Sequence, residues 1–297
     1  MGKNAMFEKL VIGLKGPRLT PEERKWLQEN PPRGVILFAR NIDSPEQVKA
    51  LLADAREVAG TELWAAIDEE GGRVNRLPWF PFNGRVQAAD YGTLFTLDPE
   101  GAIQQVYDDS YEIGCELKKL GFTHNCAPVL DLFSPDGHTI IGNRSYGDNT
   151  AVVTELGAAC MRGLHDAGID AIGKHFPGHG RADADSHVAI PEVIALLETI
   201  LDEAESFRRL FDQGLRHVMT AHVIYAMVEN RVATLSDYWL KDVLREKFNF
   251  SGSVWSDDLC MKGVGDDICS AAGDALKAGC DWLLVCEPEG VEAFYKR

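Results

Sequence analysis

The sequence has few basic residues for its length and no long apolar run. Thirty Lys and Arg stand against forty-six Asp and Glu among 297 residues, which leaves a formal net charge of −16. A surface this acidic repels phosphate backbones and anionic lipid, so neither a nucleic-acid nor a membrane partner is expected. No apolar run approaches the roughly 20 residues that a membrane-spanning helix needs, and the N-terminus lacks the cleavage pattern of a signal peptide. These absences predict a soluble, cytoplasmic protein.

The cysteines offer neither a metal-binding nor a disulfide pattern. None of the seven pairs as Cys-x-x-Cys, and most lie in apolar stretches. An odd, scattered set is typical of reduced thiols in the core of a cytosolic protein. Because a chain of 297 residues can bury a large core, we predict that it folds without disulfides or a structural metal.

Short apolar runs rich in Val, Ile and Leu alternate with amphipathic helical stretches along the chain. Such runs, bounded by Gly, predict parallel strands that are covered on both faces. There are eight, at residues 10–14, 34–39, 63–68, 122–132, 171–176, 217–225, 252–257 and 281–286. This rhythm predicts an α/β fold, a single-domain (β/α)8 TIM barrel over residues 1–297, with a doubly wound open sheet as the alternative.

The ends of the predicted strands favour the barrel. Polar side chains lie at or near the C-terminal end of nearly every one of them: Arg40, Asn41, Asp68, Glu69, Glu70, Asp131, Lys174, His175, His222, Asp257 and Asp258. In a barrel these ends converge on one face, where active sites are built. No Gly-x-Gly-x-x-Gly or P-loop motif follows the first strand, so the nucleotide-binding form of the open sheet lacks its main support.

Several helices have recognisable starts. Thr20, Pro21 and Glu23 supply an N-cap, a first-turn proline and a capping-box carboxylate, and residues 44–47 repeat this pattern. Another helix is predicted to open at Ser236. Further helices are predicted over about residues 150–167, 200–213 and 266–278. Because the sequence stops soon after the eighth strand, the last helix of the barrel is expected to be short.

The densest group of reactive side chains lies between residues 174 and 187, with three His, two Asp and two basic residues. His175 and His179 have the spacing of a helical zinc pair, but Pro177 and Gly178 between them forbid a regular helix. No metal site is therefore predicted here.

The end of the same segment suggests acid–base chemistry instead. Asp185 and His187 place a carboxylate beside an imidazole, where it can fix the tautomer and raise the basicity of the ring. Such a pair serves as a general acid/base. The alternative is a solvated polar loop after the strand end at Lys174.

Asp257 and Asp258 end a predicted buried strand, where a charge is costly unless it is partnered or functional. Asp257 follows directly on the apolar run, whereas Asp258 is assigned to the turn. A carboxylate opposite an acid/base group suggests attack at an acetal. Taken alone, the Ser-Asp-Asp triplet is also typical of a helix N-cap.

Two Gly-bounded loops carry arginines beside acidic groups. Three carboxylates, beginning with Asp68, end the third predicted strand and precede two glycines and two arginines. Asp68 is a candidate to accept hydrogen bonds from vicinal sugar hydroxyls, with Arg76 reaching the same ligand. A salt-bridge cluster at the barrel rim is the alternative. The loop over residues 142–147 presents Arg144 in a similar setting.

Together these segments resemble the family-3 glycoside hydrolases, in particular the bacterial β-N-acetylglucosaminidases that recycle cell-wall muropeptides. The matching stretches include AIDEEGGRVNRL, IGNRSYGDN, GKHFPGHGRADADSH, MTAHVIY and SGSVWSDDL, in family order between about residues 10 and 265. The order of KHFPGHG, then DSH, then SDDL makes the resemblance highly specific.

The resemblance implies a (β/α)8 barrel that hydrolyses terminal β-linked N-acetylglucosamine by a retaining double displacement. It makes Asp257 the nucleophile, His187 the acid/base and Asp185 the residue that orients His187. The sugar-binding positions of the family fall on Asp68, Arg76, Arg144, Lys174 and His175. No cofactor and no metal are implied. The expected partner is a small sugar or muropeptide substrate, and the protein is expected to act as a monomer in the cytoplasm.

Three other functions stay open at this point. One is a β-glucosidase or a phosphorylase on the same fold, since an imidazole acid/base leaves no carboxylate to repel phosphate. The second is a non-catalytic sugar-binding barrel, and the third is a metal-dependent hydrolase on a barrel fold. The joint presence of Asp257, Asp185 and His187 argues against the second, because a binding module needs no nucleophile.

Overall fold

Eight parallel strands close into a barrel in the computed structural model, which describes residues 6–79, 86–185, 189–265 and 267–296. The described strands are β1 (Leu10–Gly13), β2 (Gly34–Leu37), β3 (Trp64–Ile67), β4 (His124–Asn125), β5 (Asp170–Phe176), β6 (Glu192–Val193), β7 (His217–Thr220), β8 (Ile224–Tyr225), β9 (Glu229–Val232), β10 (Ser253–Asp258) and β11 (Trp282–Val285). The barrel order is β1-β11-β10-β7-β5-β4-β3-β2, and β6, β8 and β9 form a separate small sheet. The predicted (β/α)8 fold is confirmed.

Helices connect the strands and cover the barrel. They are α1 (Pro21–Glu29), α2 (Pro45–Ala59), α3 (Ala88–Leu97), α4 (Pro99–Leu120), α5 (Thr150–Asp166), α6 (Leu197–Asp212), a π-helix (Tyr238–Lys247), α7 (Ile268–Ala278) and α8 (Pro288–Lys296). The capping box of α1 is confirmed, because Thr20 and Glu23 each accept the backbone N–H of the other. Ser236 Oγ accepts the N–H of Trp239 at the start of the π-helix. Within the described ranges, no helix is long and apolar enough to cross a bilayer.

Two predicted strands are wrong in extent. β4 covers His124–Asn125 instead of residues 122–132, because Pro128 has no N–H to continue the ladder. Pairing resumes only as a single bridge between Val129 and Lys174. The predicted strand 217–225 is divided, since β7 ends at Thr220 and the next paired residues form β8 in the small sheet.

Two helices, α3 and α4, were not predicted from the sequence. The start of α4 nevertheless carries a clear signal, because the Asp98 side chain accepts the N–H of Gly101 and Pro99 occupies the first turn. Gly121 ends α4 in a left-handed conformation, with φ +98°. The last helix, α8, spans nine residues. Its Tyr295 stacks on Trp26 with the ring centroids 5.0 Å apart.

The apolar core has two layers. The barrel interior is filled by a layer of side chains: Val11, Ile36, Ala66, Cys126, Ile172, Met219, Trp255, Leu284 and Cys286. A larger cluster lies between the barrel wall and the helices, and includes Leu10, Ile12, Leu37, Phe176, Val218 and Leu283. Trp64 packs on Trp255 and Trp282 at the N-terminal end of the barrel. The interior is therefore a packed core, as in other barrels of this type.

Candidate active site

An open pocket of about 320 Å³ lies at the C-terminal ends of the barrel strands. Six of the eight predicted site residues line it: Asp68, Arg76, Arg144, Lys174, His175 and Asp257. Asp185 is described, but it is not part of the pocket wall that the described residues form. His187, the predicted acid/base, lies outside the described residues, so its role stays a prediction.

Local irregularities occur in the two strands that carry the reactive ends. β10 advances from Trp255 to Asp258 while β11 advances only from Trp282 to Leu284, so β10 carries one extra residue. β5 carries another, because Gly173 pairs with Val218 and Phe176 with Thr220. Bulges of this kind re-aim side chains and are common beside active sites. They occur where Asp257, Lys174 and His175 leave their strands.

A buried ion network forms one wall of the pocket. Lys174 Nζ lies 2.6 Å from both Asp68 Oδ1 and Glu70 Oε1. The guanidinium of Arg144 donates to both oxygens of Glu70, each at 2.8 Å. Buried Glu70 therefore bridges the two cations. The network holds three predicted sugar-binding side chains in place: Asp68, Arg144 and Lys174.

The network keeps its members charged despite burial. Burial disfavours the ionised form of Glu70, but Arg144 and Lys174 outweigh it and hold its pKa well below the usual range. Burial likewise disfavours charged Lys174, yet Asp68 and Glu70 raise its pKa above normal. The pocket thus offers fixed charges and hydrogen-bond donors to a polar ligand.

His175 is oriented by Asp131. Its Nδ1 lies 2.7 Å from Asp131 Oδ2, while Asp131 Oδ1 accepts the backbone N–H groups of His175 and His179. Burial raises the pKa of Asp131, but His175 and these hydrogen bonds bring it below its ordinary value. With Nδ1 held in this way, Nε2 of His175 is the nitrogen available to a ligand.

Asp257 is buried and ionised. Burial raises the pKa of its carboxyl group, but nearby donors and positive charge outweigh this and lower it. These contributions come, in order, from His222, from His175, from the N–H of Asp258, which donates to Asp257 Oδ1 at 2.8 Å, and from Lys174. The other oxygen, Oδ2, is the candidate attacking atom.

The loop after β5 packs directly against the segment that follows β4. A Cβ at Gly180 would lie 1.7 Å from the carbonyl oxygen of Leu132, so only glycine fits there. Asp183 is linked to a residue nine positions further along the chain, because its Oδ1 accepts the N–H of Glu192 at 2.8 Å. These contacts hold the base of the loop that carries Asp185 and His187.

Glu69 points away from the pocket and holds the segment that carries Arg76. Its Oε2 accepts the N–H groups of Arg76 at 2.7 Å and Leu77 at 3.2 Å. The peptide of Glu69 is held in turn by the Asn125 side chain, which bonds both its N–H and its carbonyl. Burial raises the pKa of Glu69 to about 7, although the two backbone donors favour the charged form.

Glu69→Gln is expected to stabilise the protein at alkaline pH. A folded-state pKa of about 7 against an ordinary 4.5 means that ionisation opposes folding as the pH rises through this window. The variant should therefore exceed the wild type in unfolding free energy by roughly 3 kcal/mol at pH 8, and by less than about 1 kcal/mol at pH 4.5. Urea unfolding at both pH values measures this. The exposed control Glu62→Gln should change stability by about 0.5 kcal/mol or less, and an equal effect of Glu69→Gln at both pH values would contradict the account.

No role was predicted for Glu70, Asp131 or His222 from the sequence. All three lie near the ends of predicted strands, which was the available signal, but their contacts are long-range. His222 Nε2 lies 3.0 Å from the carbonyl oxygen of Asp258, and its Nδ1 lies 2.7 Å from Thr234 Oγ1. It thus holds the backbone next to Asp257.

Comparison with known proteins agrees with this geometry. Residues 6–297 match the glycosyl hydrolase family 3 N-terminal domain. A β-hexosaminidase from Methylobacillus flagellatus is 38% identical over 280 residues, covering 93% of this chain and 80% of that protein. Another from Idiomarina loihiensis is 38% identical over 281 residues, covering 93% and 83%.

A solved structure shares the fold over nearly the whole chain. The crystal structure of NagZ from Neisseria gonorrhoeae in complex with N-trifluoroacetyl-D-glucosamine superposes with a TM-score of 0.89 at 34% identity. The match covers 97% of this chain and 84% of that one. The resemblance to the family-3 glycoside hydrolases is confirmed, and the chain belongs to glycosyl hydrolase family 3.

Proposed function

We propose that this β-N-acetylhexosaminidase removes terminal, non-reducing β-linked N-acetylglucosamine from peptidoglycan-derived muropeptides of the GlcNAc-1,6-anhydroMurNAc type. Hydrolysis of hexosaminides is supported by the family and by the β-hexosaminidase relatives. The muropeptide substrate rests on the resemblance of the motifs to enzymes of cell-wall recycling. One observation carries the proposal: buried, ionised Asp257 shares a pocket with the network of Asp68, Lys174 and Arg144.

In the first half-reaction, Asp257 Oδ2 attacks the anomeric carbon as the glycosidic C–O bond breaks. His187 donates its proton to the departing oxygen, which leaves as an alcohol. A covalent glycosyl ester of Asp257 results. Because the carboxylate is ionised before attack, no proton has to be removed from the nucleophile.

In the second half-reaction, His187 takes a proton from water as the water oxygen attacks the anomeric carbon. The ester bond breaks and the carboxylate of Asp257 is restored. Two inversions give net retention of configuration. Asp185 orients the imidazole in both steps.

The remaining pocket groups would bind the sugar. Asp68 and the Lys174–Glu70–Arg144 network offer acceptors and donors for hydroxyl groups. Arg76 Nε is buried and has no hydrogen-bond partner among the described residues, so it is a donor for a substrate oxygen. His175 Nε2 supplies a further polar contact. Hydrogen bonds that strengthen as charge develops at the anomeric carbon accelerate the reaction.

The activity is tested with chromogenic β-N-acetylglucosaminide and β-glucoside side by side, each with and without inorganic phosphate. We expect release from the acetamido sugar, independent of phosphate, with the β-anomer as the first product by NMR. Preference for the glucoside would make the enzyme a β-glucosidase. A sugar 1-phosphate as product would make it a phosphorylase, and absence of release by folded protein would favour a sugar-binding barrel.

The natural substrate requires a separate comparison. GlcNAc-1,6-anhydroMurNAc and chitobiose both carry a terminal β-linked N-acetylglucosamine but differ in the leaving sugar. We expect a higher kcat/KM for the muropeptide disaccharide, followed by mass spectrometry of the products. Equal or better cleavage of chitobiose would remove the assignment to cell-wall recycling and leave the hexosaminidase activity intact.

We also propose that the enzyme works as a cytoplasmic monomer, without nucleic-acid or membrane partners and without a cofactor. The net charge of −16 supports the lack of anionic partners. Sedimentation of the purified protein tests whether it is a monomer, and fractionation of cells tests whether it is cytoplasmic.

A further inference from the structure

A group of three potential metal ligands lies at the end of the barrel opposite the pocket. His124, Asp170 and His217 are the first residues of β4, β5 and β7, which are neighbours in the barrel. His124 pairs directly with Asp170 in the β4–β5 register. One ligand atom from each residue lies within 4.8 Å of the other two. We call these three residues the lower histidine cluster.

One nitrogen of this cluster is buried without a partner. His124 is 2% exposed, and its Nε2 has no hydrogen-bond partner among the described residues. Its Nδ1 lies 2.8 Å from Thr123 Oγ1, a hydroxyl that donates to the carbonyl of Ala65. The hydroxyl can thus accept from Nδ1–H, the tautomer that leaves a bare lone pair on Nε2.

That nitrogen faces a carboxylate oxygen. Asp170 Oδ2 lies 4.0 Å from His124 Nε2, while Asp170 Oδ1 is bound to Arg216 at 2.5 Å. At 4.0 Å the two atoms are too far apart for a hydrogen bond, and His124 Nε2 is buried. A cation between the two atoms would satisfy both.

We propose that the lower histidine cluster is a binding site for a divalent transition metal of the zinc type, distinct from the catalytic pocket. Two imidazole nitrogens and one carboxylate oxygen, with water in the remaining position, match the donors that zinc prefers. Tetrahedral zinc needs ligand atoms about 3.4 Å apart, so distances of up to 4.8 Å must shorten by as much as about 1.4 Å. Asp170 and His217 are partly exposed, which gives a cation access and leaves both side chains room to move.

Two existing contacts of the ligand side chains would compete with a bound metal. The indole N–H of Trp255 reaches His217 Nδ1 at 3.3 Å, a long hydrogen bond that is readily lost. The ion pair of Asp170 with Arg216 is largely exposed and uses the other carboxylate oxygen. Bound metal would tie together the starts of three strands and so stabilise the fold.

The test is a zinc titration of metal-depleted protein against a chromophoric chelator, with wild type, His217→Gln, Asp170→Asn and the control His138→Gln. His138 is exposed and lies outside the cluster. We expect His217→Gln and Asp170→Asn to bind one zinc fewer than the wild type, or to bind it with at least 100-fold lower affinity. The control His138→Gln should bind zinc as the wild type does. Zinc should also raise the wild-type Tm by about 5 °C and leave the Tm of the two cluster variants unchanged.

Hydrolysis by the metal-free enzymes separates this site from the pocket. The cluster lies at the opposite end of the barrel, so His217→Gln and Asp170→Asn should keep the wild-type kcat. Zinc bound in the pocket, where His175 and His179 lie, would inhibit all four proteins alike. Equal zinc stoichiometry and affinity in wild type and in both cluster variants would overturn the proposal.

Discussion

Asp257→Asn is expected to lower kcat by roughly four to six orders of magnitude, because the covalent route then has no nucleophile. The amide keeps the shape of the side chain and can still accept the N–H of Asp258. Binding of N-acetylglucosamine, measured by calorimetry, should therefore change little. The loss would fall on the chemical step rather than on recognition.

The neighbouring carboxylate provides a matched control. Asp258 also lines the pocket, but its Oδ1 accepts the N–H groups of Cys260 and Cys286, both at 2.9 Å. Asn can keep these two hydrogen bonds, so Asp258→Asn should retain most of the activity. A larger loss in Asp258→Asn than in Asp257→Asn would exchange the assigned roles.

Chemical rescue identifies the nucleophile more directly. In Asp257→Gly, added azide can attack the anomeric carbon from the vacated side while the activated glycosidic bond breaks. A single inversion then yields the α-glycosyl azide from a β-glycoside. Recovery of rate without this product would remove Asp257 from the nucleophilic role.

The sequence predicted features that depend on neighbours along the chain. The capping box at Thr20 and Glu23 needs only three residues, and it formed as expected. The strand ends at Asp68, Lys174 and Asp257 were found because apolar runs stop there. Since parallel strand ends converge in a barrel, their meeting in one pocket followed from the fold class alone.

Features that depend on pairing between distant segments were not predictable in this way. The extra residues in β5 and β10 are defined only against β7 and β11. Nothing near Glu70 in the sequence shows that it bridges Lys174 and Arg144, more than 70 residues away. The same holds for Asp131 and His175, which meet only after the barrel closes.

Glu70→Gln is expected to lower the unfolding free energy by about 3–5 kcal/mol at pH 7, the usual cost of removing one charge from a buried ion network. Asp68 would then be the remaining anion beside Lys174, and Arg144 would keep at most one of its two hydrogen bonds to this side chain, because the Gln amide nitrogen cannot accept. Because both cations line the pocket, we also expect KM to rise by at least tenfold. Urea unfolding and steady-state kinetics measure the two effects.

An exposed ion pair gives the matched control for stability. Arg24 and Asp54 lie 2.5 Å apart, but their side chains are 48% and 32% exposed. Asp54→Asn should therefore cost about 0–1 kcal/mol and leave KM unchanged. If Glu70→Gln cost no more than Asp54→Asn, the network would not be a stabilising element of the site.

The pH dependence distinguishes Glu70 from its neighbour in the chain. The folded-state pKa of Glu70 lies below the ordinary 4.5, so its stabilisation is present above that value and is lost as the pH falls through the folded-state pKa. Glu70→Gln should thus be most harmful at neutral pH and approach the wild type in acid. Glu69→Gln should be beneficial at pH 8, because burial of Glu69 outweighs its two backbone hydrogen bonds and the charge of Arg76. The same Glu→Gln substitution at two adjacent positions would then change the unfolding free energy with opposite signs. Composition and secondary-structure propensity cannot account for such a difference, because they are the same for both variants.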